Sequence, residues 1–131
     1  MAEHNEIGKI GENITATFLM KQGFTILERN YRVKVGEIDI VTEKDNVLRF
    51  IEVKSIKVRD CNQITNLVIA PEDNLTFAKW SKLLLTIEIY KNHNGVPYET
   101  PNQIDLACVY IDTERKQGRV RLIPNIHKEK D

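Results

Sequence analysis

The stretch Gly36-Glu37-Ile38-Asp39-Ile40-Val41-Thr42-Glu43-Lys44-Asp45-Asn46-Val47-Leu48-Arg49-Phe50-Ile51-Glu52-Val53-Lys54 decides how the rest of the chain is read. Glu37 to Glu43 and Val47 to Lys54 are rich in β-forming residues and are separated by Lys44-Asp45-Asn46. Asp45-Asn46 suits a two-residue hairpin turn, because both residue types tolerate positive φ. Counting outward from that turn sets Asp39 opposite Glu52 and Glu37 opposite Lys54. Alternate residues of a strand share a face, so all four side chains are expected to project the same way.

Like charges directly opposite each other destabilise an antiparallel pair. Asp39 and Glu52 are flanked by Ile38, Ile40, Ile51 and Val53, the pattern of a strand covered on both sides. Two partly buried carboxylates that close either repel or share a proton, and a divalent cation removes the conflict. Mg²⁺ prefers hard oxygen ligands, commonly one or two carboxylates with water and substrate phosphate. Lys54, on the same face as Glu52, can then hold an attacking water and neutralise charge on a phosphodiester. The pattern also fits a plain surface hairpin, whose Glu37–Lys54 pair is a weak salt bridge worth about 0.2–1 kcal/mol.

Working outward, residues 6–22 are expected to form a helix, with Ile7, Ile10, Ile14 and Phe18 at helical spacing and Gly23 as its C-terminal cap. Phe24 to Tyr31 reads as a strand leading into a turn with Arg29, Arg32 and Lys34. Residues 55–72 lack periodicity and read as a loop. Asp73 or Asn74 can cap a second helix to about Tyr90, with Phe77, Trp80, Leu84, Ile87 and Tyr90 inward. Trp80 fits core packing better than base stacking. Ile104 to Ile111 reads as a buried strand, and a turn at Gly118 leads to a last strand, Val120 to Ile123. The tail from His127 is expected to fray. The order α-β-β-β-α-β-β predicts an α/β fold, a mixed sheet flanked by helices.

The 131 residues are expected to form a single domain, 1–131, around one core. No apolar run approaches the roughly 20 residues that cross a bilayer, and no signal-peptide pattern opens the chain, so the expected location is the cytoplasm. Cys61 and Cys108 belong to no ligand spacing, and nothing near His4, His93 or His127 completes a ligand set. Nineteen basic and nineteen acidic residues cancel, whereas a nucleic-acid enzyme usually presents a basic surface. Residues 1–60 hold ten of each; if Glu12, Glu37, Asp39 and Glu52 converge on a metal, ten basic remain against six acidic.

Asp39 followed by Glu52-Val53-Lys54 resembles the PD-(D/E)xK signature of restriction-endonuclease-like nucleases. More narrowly, Gly11-Glu12, Gly23-Phe24, Arg29-Asn30, Gly36 to Val41 and Phe50 to Lys54 resemble the YraN-type family of small predicted endonucleases, similar in outline to Holliday-junction resolvases. Lys79, Leu83 and Tyr90 resemble that family's lysine-bearing helix. Ile104-Asp105-Leu106 resembles its Arg-Phe-Asp strand, with Gln103 where the arginine is usual, and the segment Lys57 to Pro71 departs from the pattern.

The resemblance implies a restriction-endonuclease-like core. In it Asp39 and Glu52 would bind Mg²⁺ or Mn²⁺, the Val53 carbonyl would add an oxygen, Lys54 would position the nucleophile and Glu12 would reach in from the first helix. It implies a homodimer acting on branched or structured DNA. Arg29, Arg32, Lys34, Lys57, Arg59 and Lys79 are the candidate phosphate contacts, and Glu37 is expected to brace Lys54 or a nearby arginine. The alternatives are a non-cleaving nucleic-acid-binding module on the same fold, or a protein-interaction scaffold.

Overall fold

Asp45 and Asn46 both adopt positive φ, 54° and 64°, in the computed structural model, which describes residues 2–60 and 75–128. This is the two-residue turn whose twist matches that of the flanking strands. It pairs Lys44 with Val47 and joins β2 (Gly36–Lys44) to β3 (Val47–Lys57), the register expected from the sequence. Before the hairpin come α1 (Ala2–Lys21) and β1 (Thr25–Val33). After it come α2 (Phe77–His93), β4 (Asn102–Asp112) and β5 (Gln117–Ile123). The predicted order α-β-β-β-α-β-β is therefore observed, as a mixed sheet of five strands with helices on it.

The strands lie in the spatial order β1-β2-β3-β4-β5, antiparallel except for the parallel pair β3–β4. A parallel pair needs a crossover, and α2 lies within it. On one face of the sheet, Trp80, Leu83, Ile87 and Tyr90 of α2 pack on Ile38, Val41, Leu48, Phe50 and Ile104. On the other, Ala16 and Leu19 of α1 pack on Phe24, Ile40, Ile51 and Ala107. Cover on both faces explains why Ile104 to Ile111 is apolar at nearly every position rather than alternating.

Local chemistry sets the boundaries. Gly23, at φ 90°, ends α1 as expected, and Phe24 N–H closes back onto Leu19 O at 2.9 Å. The α2 cap falls on Thr76, whose hydroxyl accepts from Lys79 N–H. Asp73 and Asn74, along with Cys61 and the rest of 61–74, lie outside the described residues. Residues 55–57, read as loop, instead extend β3, because β4 offers them a parallel partner as far as Lys57↔Ile111. The turn expected at Gly118 sits earlier, at 113–116, with Lys116 at φ 53°. Gly118 lies within β5, where a Cβ would come within 2.6 Å of Ile14 Cδ1, so it admits α1 rather than turning the chain. At the tail, Ile126 N–H bonds Ile104 O.

Both helices bury a face rotated from the predicted one. On α1, Ile10 is exposed while Gly11, Thr15, Ala16 and Leu19 are buried. On α2, Phe77 and Leu84 are exposed and Leu83 and Thr86 take the inward positions. Close approach explains both shifts: a Cβ on Gly11 would overlap Ser55 Oγ, and one on Gly36 would come within 2.7 Å of Thr86 Oγ1. Small residues therefore sit where the helices come closest to the sheet, while Trp80, Ile87 and Tyr90 of α2 keep the inward positions expected of them. Leu83→Ala is expected to cost about 2–5 kcal/mol and Leu84→Ala less than about 1 kcal/mol. Urea unfolding of the two variants checks this, and equal losses would contradict the observed face.

Candidate active site

The antiparallel pairing of β2 with β3 ends at Ile40↔Ile51. Beyond it β2 stays with β1 as far as Val33↔Gly36, and β3 stays with β4 as far as Lys57↔Ile111. The two strands thus part at Asp39 and Glu52, and the backbone ladder that would set Asp39 against Glu52 and Glu37 against Lys54 is not formed. Side chains bridge the gap instead. The Asp39 carboxylate accepts from Val53 N–H at 2.8 Å, and the Glu52 carboxylate accepts from the backbone N–H of Asp39.

A kink makes this possible. Ile38 and Val41 both pack beneath α2, while Ile40 packs beneath α1. Residues three apart in a regular strand face opposite ways, so β2 is distorted between Ile38 and Val41. Its neighbour is distorted at the same level: Arg29↔Ile40 and Tyr31↔Ile38 pair normally, and Asn30 between them sits at φ 55°.

Burial pushes the Asp39 carboxyl up to about 6, with Glu37 and Glu12 adding to the rise and Val53 N–H and Arg32 opposing it. Burial also holds Glu52 well above the usual carboxylate range, and the charge of Asp39 adds to this. Glu52 Oε1 is buried without a hydrogen-bond partner. The charged pair is thus disfavoured in the folded state, the situation met in sites built to bind or transfer something positive.

Asp39 and Val53 line a cleft of about 640 Å³ between α1 and the β1–β2 edge, together with Glu12, Arg29, Arg32 and Glu37. Glu12 enters from α1 as expected and pairs with Arg29 at 2.9 Å. Glu37 braces Arg32, also at 2.9 Å, and the Glu37–Lys54 pair is not formed. Glu52 and Lys54 flank Val53 on β3 but do not line the cleft. Among the described residues, no three His, Cys, Asp or Glu side chains are grouped closely enough to hold a metal between them. The donor set that fits a cation is the Asp39–Glu52 pair, completed by water and phosphate, with Asp39 facing the cleft and the buried Glu52 Oε1 lacking a hydrogen-bond partner.

The candidate DNA contacts divide. Arg29 and Arg32 reach the cleft but are committed to carboxylates, and Lys34 is exposed in the adjoining β1–β2 turn. Lys57 and Arg59 lie past the far end of the hairpin, where the Arg59 carbonyl accepts from Arg115, and Lys79 is exposed in the first turn of α2. Gln103 donates to buried Asp105 at 2.7 Å, with Arg49 at 3.8 Å from the same carboxylate. Sequence reasoning passed over Asn5, Lys9 and Asn13, which line the cleft. They recur with Glu12 at helical spacing, and that stripe was the available signal.

A five-stranded mixed sheet, parted at one hairpin around two largely buried carboxylates, defines a small α/β protein with a cleft of mixed charge. Residues 11–109 match Uncharacterised protein family UPF0102, and the chain belongs to that family. It is 43% identical over 120 residues to a UPF0102 protein of a Nitratiruptor species, covering 92% of this chain and 91% of that one. It is 35% identical over 120 residues to a UPF0102 protein of Flavobacterium psychrophilum, covering 92% of each. A UPF0102 protein of Dictyoglomus turgidum is 40% identical over 122 residues, 93% of this chain and 97% of that one. No described helix is long and apolar enough to cross a membrane.

The raised Asp39 gives a signed expectation. A carboxyl whose folded pKa exceeds its unfolded value contributes stability below pH 4 that is lost as pH rises through about 6. Asp39→Asn keeps an acceptor for Val53 N–H and removes the charge. In EDTA it is expected to be more stable than wild type by about 1–3 kcal/mol above pH 6, with the gap closing toward pH 4. Thermal unfolding across that range checks it, and a gap that widens as pH falls would contradict it.

Proposed function

We propose that this protein is a metal-dependent DNA endonuclease, hydrolysing phosphodiester bonds in branched or structured DNA as a homodimer. The observation that carries the reading is the Asp39–Glu52 pair. Both carboxyls are raised, they are bonded across parted strands, and Glu52 Oε1 is left without a partner. Such a pair works against folding, and Mg²⁺ or Mn²⁺ held by Asp39 and Glu52, with the Val53 carbonyl as a further oxygen, removes the conflict. When bound, the ion supplies Lewis-acid stabilisation of charge on the phosphodiester. Lys54, two residues beyond Glu52, holds the attacking water and offsets phosphoryl charge. Glu12 directs a water from the α1 side of the cleft.

Two observations favour rival readings. The lack of a close group of three metal-ligating side chains among the described residues favours a non-cleaving nucleic-acid-binding module. The zero net charge favours a protein-interaction scaffold. Incubation with four-way junction, flap, single-stranded and duplex DNA in Mg²⁺, Mn²⁺ or EDTA separates the three. Cutting is expected with either metal and not in EDTA, with Asp39→Ala and Lys54→Ala each slowing it about 100-fold or more. DNA binding without cutting, unchanged in Asp39→Ala, identifies the module. No salt-sensitive DNA affinity identifies the scaffold.

A further inference from the structure

We propose that Arg29 and Asn30 are positioning residues that lock Glu12 into the cleft, rather than contacts for DNA phosphate. The inference rests on the nuclease reading above. Glu12 Oε1 accepts from Arg29 Nε at 3.1 Å and from Asn30 Nδ2 at 2.9 Å, and Arg29 Nη2 completes the ion pair at 2.9 Å. All of these groups converge on one oxygen, which pins Glu12 Oε1 to β1. Arg29 Nη2 also donates to Asn13 Oδ1 at 2.6 Å, so consecutive residues of α1 are tied to consecutive residues of β1.

This is not a loose surface ion pair, which holding two mobile side chains would leave nearly worthless. The Glu12 side chain is only 13% exposed, and an arginine bound through Nε and Nη2 has given up the fork with which it would grip a phosphate. Asn30 supplies the second half of the lock only because its backbone is left-handed, at φ 55°, a conformation that asparagine tolerates and most residues do not. It occupies the position between Arg29↔Ile40 and Tyr31↔Ile38, level with Asp39. One kink therefore turns the Asn30 amide to Glu12 while Asp39 turns to Val53 N–H. Glu12 and Asp39 share the cleft, and the charge of Glu12 reaches Asp39. Outer partners of this kind set where a site's carboxylates point, and losing them typically costs 10–100-fold in metal affinity or activity.

The test is a double-mutant cycle on full-length protein, read by calorimetric titration with Mn²⁺. Asn30→Gly keeps the left-handed backbone and removes the amide, and a melting temperature near wild type confirms the fold. Glu12→Gln and Asn30→Gly are each expected to weaken Mn²⁺ binding about 10-fold, and the double variant is expected to be no weaker than Glu12→Gln alone. Independent, multiplying losses would show a structural role and overturn the inference, as would unchanged affinity in Asn30→Gly. For Arg29→Met, the salt dependence of DNA affinity in EDTA is expected to keep the wild-type slope. A slope lower by about 1 marks a lost phosphate contact and overturns the assignment of Arg29. A wild type that takes up no Mn²⁺ overturns the nuclease reading itself and this inference with it, whereas normal uptake with an insensitive Asn30→Gly overturns the inference alone.

Discussion

The site depends on the point at which two strands stop pairing. β2 and β3 are held in register by the Asp45-Asn46 turn as far as Ile40↔Ile51, and then each follows its outer neighbour. Backbone groups left open inside a sheet must find partners, and here carboxylates provide them. Asp39 takes Val53 N–H, and Glu52 takes the N–H of Asp39. The arrangement satisfies the backbone by placing two acids side by side under cover. Its cost appears in both raised carboxyls and in an oxygen with no partner. Local conflict of this sort persists where the surrounding structure over-determines it and function makes use of it.

The surroundings do over-determine it. Leu19 on one side and the Trp80, Leu83, Ile87 and Tyr90 stripe on the other clamp the paired half of the hairpin. The edge of Tyr90 meets Tyr31 at 5.1 Å and Phe50 at 5.7 Å, which binds β1, β3 and α2 into one aromatic group. Small residues set the distances: Gly11 lets α1 lie against Ser55, and its neighbour Glu12 is thereby carried to the cleft. Packing and site are coupled through single glycines, so the position of Glu12 follows from the helix–sheet separation.

Much of this was legible in the sequence. The Asp-Asn turn fixed the hairpin register, binary patterning gave the order of elements, and Gly23 marked the end of α1. Ile7, Trp80, Ile87 and Tyr90 are buried as expected, but the exact helix faces were not legible, because large apolar residues such as Ile10 and Leu84 drew the prediction away from the small residues that make closest contact. Nor was the parting of the hairpin. Register arithmetic assumes an unbroken ladder, and the break comes from β1 and β4 competing for the two strands, a tertiary effect. The structure brings Asp39 and Glu52 together, through carboxylate–backbone bonds rather than as the expected opposed pair. The role of Glu37 resolved toward Arg32 because the parting carries Glu37 away from Lys54.

The UPF0102 match covers residues 11–109, the stretch that holds Glu12, Asp39, Glu52 and Lys54. The central claim is that the Asp39–Glu52 pair is an unrelieved conflict that a divalent cation resolves. Carboxyl-carbon NMR titration of both residues, with and without Mg²⁺, tests it most directly. Without the ion, Asp39 is predicted to titrate near about 6 with Glu52 above the usual range, and with the ion both are predicted to fall below about 4. Ordinary titration of both groups in the absence of metal, or raised titration that Mg²⁺ leaves unmoved, would contradict the account.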